Sequence, residues 1–265
     1  MPLETAPPVD LTRLRHACER CGLKPNALPP GMSNSAILAF DQALRTLPML
    51  ERGDVLFRNG DPCRGLYIVR AGSLKTEALS EAGVAQILGF HLPGQLLGVA
   101  GMSQYQYTCD AVALERSAVC ELPFAQLEML LGGYPAVRQH ILQLLGDAAQ
   151  RHHRHLLLMG RRQAQERLAQ FIRDIAEQQR TPFGAPFRLS MSRHDLANYL
   201  GLAIETVSRL FSKMRAQGVL EVHGKRITIR DRAALLALCG EVAPSPRRAI
   251  VAPARIEPAR SAAYH

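Results

Sequence analysis

The chain has 265 residues, 47% of them hydrophobic, enough to bury real cores and too apolar for wholesale disorder. Its 32 Lys and Arg against 23 Asp and Glu leave a formal charge of +9, unevenly spread. Residues 1–159 balance fourteen of each sign, whereas residues 160–240 hold fourteen basic and seven acidic side chains, the footprint of either a phosphate-binding C-terminal third or a solubilising basic face. No run approaches the ~18 apolar residues of a membrane span, and Met1 to Asp10 lacks a basic segment leading into an apolar one, so a cytoplasmic protein with no membrane partner is expected.

Residues 1–33 read as a proline-containing arm with a short helical candidate from Asp10 to Arg20. Ser33 to Leu47 reads as an amphipathic helix: Ile37, Leu38, Phe40, Ala43, Leu44 and Leu47 recur near helical spacing behind a Ser N-cap. From Gly53 to Pro123 the period shortens. Val55-Leu56-Phe57, Leu66 to Val69, Leu74 to Glu77, Ala85 to Phe90 and Ala118 to Leu122 are β-type runs, separated by turns such as Asn59-Gly60-Asp61 and Ala71-Gly72. Frequent short strands with regular turns predict an antiparallel roll over residues 34–134.

Pro135 opens a long helix predicted to span 135–160. Arg138, Leu142, Leu145, Ala149, His152, Leu156 and Met159 alternate by three and four, a coiled-coil-like seam suited to a homodimer. Val137, Ile141, Leu144 and Ala148 form a second stripe that packs on the roll, although both stripes could instead be intramolecular. Residues 161–180 read as another helix with Leu168, Phe171, Ile172 and Ile175 inward, and Thr181 to Pro186 breaks it. The tail, residues 241–265, carries four prolines and is expected to be disordered.

The most specific signal lies between Arg193 and Leu210. Two helices crossing through a tight turn need a small residue at the contact, a glycine in the turn and apolar residues at fixed offsets. Leu196, Ala197, Leu200, Gly201, Leu202, Val207 and Leu210 supply all of them. With Val207, Leu210 and Phe211 inward, Glu205, Ser208 and Arg209 face outward on one side of a second helix running from Ile204 to Met214. Arginine can pair bidentately with guanine, glutamate can accept from cytosine, and serine suits base or backbone, so this trio fits major-groove reading of double-stranded DNA. Arg193, Ser212, Lys213 and Arg215 are placed to contact phosphates. Two short strands, Val219 to Val222 and Ile227 to Ile229, flank His223 to Arg226 and make a winged helix-turn-helix over 161–240, with Lys225 and Arg226 on the DNA backbone.

Roll, long helix and winged element in this order resemble the family of the cyclic-AMP receptor protein and FNR, over about residues 33–240. The carrying motifs are Gly53-Asp54-Val55-Leu56-Phe57, Gly72-Ser73-Leu74-Lys75, Gly89-Phe90-His91-Leu92-Pro93-Gly94, Cys120-Glu121-Leu122-Pro123-Phe124 and Asn198-Tyr199-Leu200-Gly201-Leu202. Glu205, Ser208 and Arg209 match the recognition triad of the FNR branch. The resemblance implies an α+β chain with a cyclic-nucleotide-binding-type β-roll (jelly roll), and a dimer that reads an inverted repeat similar to TTGAT…ATCAA. It also implies activation of RNA polymerase at genes of low-oxygen metabolism. Gln95 follows Gly94, and no Arg-Ser pair occurs before Arg116-Ser117, so no cyclic AMP is expected.

Six cysteines remain: Cys18, Cys21, Cys63, Cys109, Cys120 and Cys239. Cys18-Glu19-Arg20-Cys21 has the spacing of two ligands on one metal centre. The resemblance adds Cys120 as a third ligand of a [4Fe–4S] cluster, but Ala27 stands where the branch usually has another cysteine. Three readings stay open: a cluster completed by Cys63, Cys109, His16 or an exogenous molecule, a thiol sensor on Cys18 and Cys21, or a regulator controlled otherwise. A thiol oxidoreductase is the alternative from another class, and the arm lacks the βαβ context it would need.

Overall fold

The computed structural model describes residues 33–79, 83–161 and 163–240. Cys18, Cys21, His16, the arm that carries them and the tail after Gly240 lie outside the described residues. Helix α1 (Asn34–Ala43) begins where the Ser33 side chain accepts the Ala36 N–H at 3.2 Å. It stops short of Leu47: Leu44 turns extended, and the next residues become β1 (Arg45–Thr46), which pairs with β8 (Ala118–Pro123). A sheet edge thus takes the backbone groups that another helical turn would have used.

Two four-stranded antiparallel sheets make the roll. One runs in the order β1, β8, β3 (Gly65–Ala71), β6 (Leu96–Leu97), and the other β2 (Val55–Phe57), β7 (Asp110–Ala113), β4 (Leu74–Leu79), β5 (Ala85–His91). The expected runs all form strands, and β1, β6 and β7 are additions. Two to four residues long, they exist through pairing with longer neighbours rather than through a pattern of their own. Gly72 makes the β3–β4 turn at φ +76°, and a Cβ there would lie 2.3 Å from Ser117 Oγ, so no larger residue fits.

Side chains alternate across the first sheet. Val119 points into the roll with Phe57, Val69, Leu74 and Tyr107, where Phe57 stacks on Tyr107 at 3.9 Å between ring centroids. Leu66, Ile68 and Leu122 point outward beneath Phe40 of α1, α2 (Phe124–Gly133) and Val137 and Ile141 of the long helix α3 (Pro135–Met159). The second stripe of α3 therefore packs on its own roll, as its spacing implies. On the seam, Leu142 and Leu156 are 56% and 68% exposed, and Arg138, Ala149 and His152 are exposed beside them. Leu145 and Met159 are half-buried on their own chain, Leu145 beside the cluster beneath α1 and Met159 against the core of the C-terminal domain.

That domain contains α4 (Ala164–Gln178), α5 (Arg193–Leu200), α6 (Ile204–Ala216), α7 (Arg232–Leu238) and a three-stranded sheet. The sheet is ordered β10 (Leu220–His223), β11 (Arg226–Ile229), β9 (Pro186–Arg188). Cys239, adjoining a tail expected to be disordered, is instead fully buried, and its carbonyl accepts from the Arg161 guanidinium. One continuous core joins Ile87, Phe90 and Leu92 of the roll to Phe171, Leu196, Val207 and Phe211. Among the described residues, no helix is long and apolar enough to cross a membrane.

Candidate nucleic-acid interface

Helix α5 is fixed at both ends by local chemistry. Ser192 accepts the Asp195 N–H at 3.0 Å, and Asp195 Oδ2 accepts the Ser192 N–H at 2.8 Å, a reciprocal capping box. At the other end Gly201 turns left-handed at φ +61°, and Arg167 of α4 donates to the Leu200 carbonyl at 2.7 Å. Leu196, Ala197, Leu200 and Val207 are buried where the two helices meet, as the offsets require.

The crossing presents α6 outward. Val207, Phe211 and Met214 are buried, and Glu205, Ser208, Arg209, Ser212, Lys213 and Arg215 are exposed. Arg209 Nε lies 3.4 Å from the Glu205 carbonyl oxygen, one turn back along the same helix, so the trio forms one polar face. Lys213 donates to Gln165 Oε1 at 2.9 Å from an exposed position. Lys213 and Arg215 also lie in the last turn of α6, where cations complement the helix dipole.

Two of the residues expected to contact phosphates are engaged within the chain. The Arg193 guanidinium lies 3.5 Å above the Phe211 ring, bracing α5 on α6, and its burial lowers its pKa. Lys225 turns back from the wing and donates to the Ser190 carbonyl at 2.7 Å, half-buried, since that carbonyl sits directly behind the β10–β11 turn. Burial first, then Arg52 and Arg188, lower its pKa. Arg226 stays exposed at the wing and pairs in register with His223.

The thiols divide by sheet face. Cys120 is buried beside Ile68, on the face that α1 covers, with Arg70 Nη1 at 3.5 Å and Thr46 Oγ1 at 3.8 Å from its sulfur. Cys63 and Cys109 pack instead with the roll interior. Desolvation raises both thiol pKa values, that of Cys109 to about 11 with Asp110 adding to it, and so disfavours the thiolates that bind metal. Both thiols lie among the interior side chains and not on the face that carries Cys120. Among the described residues, no three His, Cys, Asp or Glu side chains converge on one ion.

Residues that the sequence reading passed over dominate the junction between roll and reading domain. Lys75 Nζ sits 2.8 Å from Glu77 and 3.3 Å from Asp195. Ser73 donates to Ser190 at 2.6 Å, Arg188 pairs with Glu115 at 2.7 Å, and Tyr199 lies between Phe90 and His155. Asn198 bonds to the β5 backbone twice. A cavity of about 130 Å³ remains between roll, α3 and reading domain, lined by His91, Arg151, His155 and Tyr199 among others.

Residues 49–134 match the family model of the cyclic nucleotide-binding domain, and residues 166–238 that of the Crp-like helix-turn-helix domain. The transcriptional activator protein Anr of Pseudomonas aeruginosa is 38% identical over 225 residues, covering 84% of this chain and 92% of that protein. The fumarate and nitrate reduction regulatory protein of Yersinia pestis is 37% identical over 232 residues, covering 87% and 92%. Among solved structures, FixK2 of Bradyrhizobium japonicum superposes with a TM-score of 0.67 at 29% identity, over 76% of this chain and 99% of that one. A CRP-family transcriptional regulator of Thermus thermophilus, 21% identical with a TM-score of 0.60 over 74% and 97%, shares the fold.

Proposed function

Because the chain belongs to the CRP/FNR family of transcription regulators, we propose that it works as a homodimer in which each α6 enters the major groove of one half-site of an inverted repeat. Glu205, Ser208 and Arg209 read base edges, and Ser212, Lys213, Arg215 and Arg226 hold phosphates. The observation that carries this reading is the polar face of α6, exposed on a helix whose opposite side is buried. The exposed seam of α3 supports the homodimer. The similarity to anaerobic activators supports activation through RNA polymerase at genes of low-oxygen metabolism and a TTGAT…ATCAA-like repeat.

The roll works here without a cyclic nucleotide. Stacked Phe57 and Tyr107 occupy its interior, and Gln95 follows Gly94 where the nucleotide-binding members of the family carry a glutamate. Redox sensing rests on Cys18, Cys21 and Cys120. Bound together they would supply three thiolates to a [4Fe–4S] cluster, one short of the usual four. A cluster would take its fourth ligand from Cys63, Cys109, His16 or an exogenous molecule; Cys18 and Cys21 alone would instead serve a direct thiol sensor.

Selection from random duplexes by the anaerobically purified full chain tests the DNA reading. An inverted repeat is expected, and an unstructured pool contradicts it. Visible absorption with iron and sulfide analysis, repeated on Cys18→Ala and Cys120→Ala, separates cluster from thiol control. Equal operator binding with and without oxygen would rule out both.

A further inference from the structure

We propose that Asn198 is a positioning residue that sets which half-site spacing the dimer accepts, by locking α5 in one register on the free edge of β5. The inference rests on the DNA reading above and deepens it. Strand β5 ends its sheet, with β4 as its one neighbour, so its outward N–H and C=O groups need partners from elsewhere. Asn198 provides them with a single amide. Its Oδ1 accepts the Ile87 N–H at 2.6 Å and its Nδ2 donates to the Ala85 carbonyl at 2.6 Å, as a further strand would. Gln86 Nε2 closes the arrangement by donating to the Asn198 carbonyl at 3.1 Å.

The directional contacts Ser73 to Ser190 and Arg188 to Glu115 bind the segment before α5, and the other side-chain contacts of α5 itself hold the helix without fixing its register. Phe90 against Tyr199 is an apolar contact, and apolar attraction is non-directional. Lys75 reaches both Glu77 and Asp195 from a flexible stem, which tolerates sliding. The Asn198 amide does not, because both of its bonds need defined angles to two backbone groups two residues apart. A slip of one residue along a strand is about 3.3 Å, close to the ~3.4 Å rise of one base pair. Two-fold symmetry repeats any slip of α5 on β5 in both subunits, so a loosened register widens the range of α6 separations that the dimer can reach.

The test uses the full chain as wild type, Asn198→Ala and Asn198→Asp. The probes are duplexes carrying the selected inverted repeat with its central spacer unchanged, one base pair longer or one shorter. The wild type should lose roughly tenfold or more in affinity on either altered spacer, because its reading helices are preorganised. Asn198→Ala should bind all three within about threefold of one another, and Asn198→Asp, which keeps the acceptor for Ile87 but loses the donor, should fall between. Penalties for base changes within a half-site should be the same in all three proteins. Spacing preference is a ratio within one protein, so a loss of folded fraction cancels. Asn198→Ala retaining the wild-type spacing penalty overturns the proposal while leaving the DNA reading intact. A wild type that binds a single half-site as well as the repeat overturns both.

Discussion

Helices α5 and α6 lie side by side, both apolar on one face and polar on the other, yet their polar faces do opposite work. On α5, Asp195, Asn198 and Tyr199 are each taken up by the roll or the long helix, at Lys75, at the β5 backbone and at Phe90 and His155. On α6, Glu205, Ser208 and Arg209 stay exposed. One helix is anchored so that its neighbour can be presented. Polar residue type does not separate these roles; the availability of a partner within the chain does.

The division of labour fails most severely if the crossing itself is loosened. Leu196 is fully buried between the helices, so Leu196→Ala should cost about 2–5 kcal/mol of stability in denaturant unfolding and abolish operator binding with it. Leu156→Glu places a charge on the exposed seam of α3 and should weaken the dimer roughly tenfold, about 1.4 kcal/mol, by sedimentation equilibrium. Stability of the single subunit should be unchanged, since Leu156 touches neither helix of the reading pair. Ser192→Ala removes one half of the capping box and should cost about 1 kcal/mol in thermal unfolding.

Smaller effects separate the two helices more finely. Arg215→Ala should weaken binding uniformly across sequences and flatten the salt dependence by about one phosphate contact. Changing pH should affect the anchoring of α5. Burial pushes the Asp195 carboxyl up, but the Ser192 hydrogen bonds and Lys75 outweigh it, and its pKa ends below the ordinary value. Its contribution is therefore present above the unfolded carboxyl pKa of about 3.9 and lost as pH falls through the lower folded value. Burial lowers the Lys75 pKa, while Glu77 and Asp195 raise it further, for a net rise. Its contribution is complete below about pH 10.4 and lost as pH climbs through the folded value. Amide exchange at Ile87, adjusted for intrinsic rate, should stay slow between these limits and quicken beyond either, with Lys75→Met moving the acid limit upward.

Much of this architecture was legible because its signals are local. The cap at Ser33, the glycine turns of the roll and the apolar offsets around Gly201 each act within a few residues, and each formed as expected. What escaped reading depends on partners far along the chain. Asn198 meets Ala85 across 113 positions, and Lys225 meets the Ser190 carbonyl across 35. Nothing near Lys225 in the sequence announces that contact, nor the one between the Arg193 guanidinium and Phe211 on the other helix. The trio on α6 was readable since its exposure follows from helical period alone.

Reading of base edges by the outward side chains of α6 is the property from which the function follows. Affinity of the wild type and Arg209→Ala for a set of duplexes, each with one base pair of the half-site replaced, examines it without intermediaries. Loss of ~1–3 kcal/mol of discrimination at one position, with the other positions unaffected, is the expected result. Equal weakening on every duplex, with the pattern of preference untouched, would contradict it.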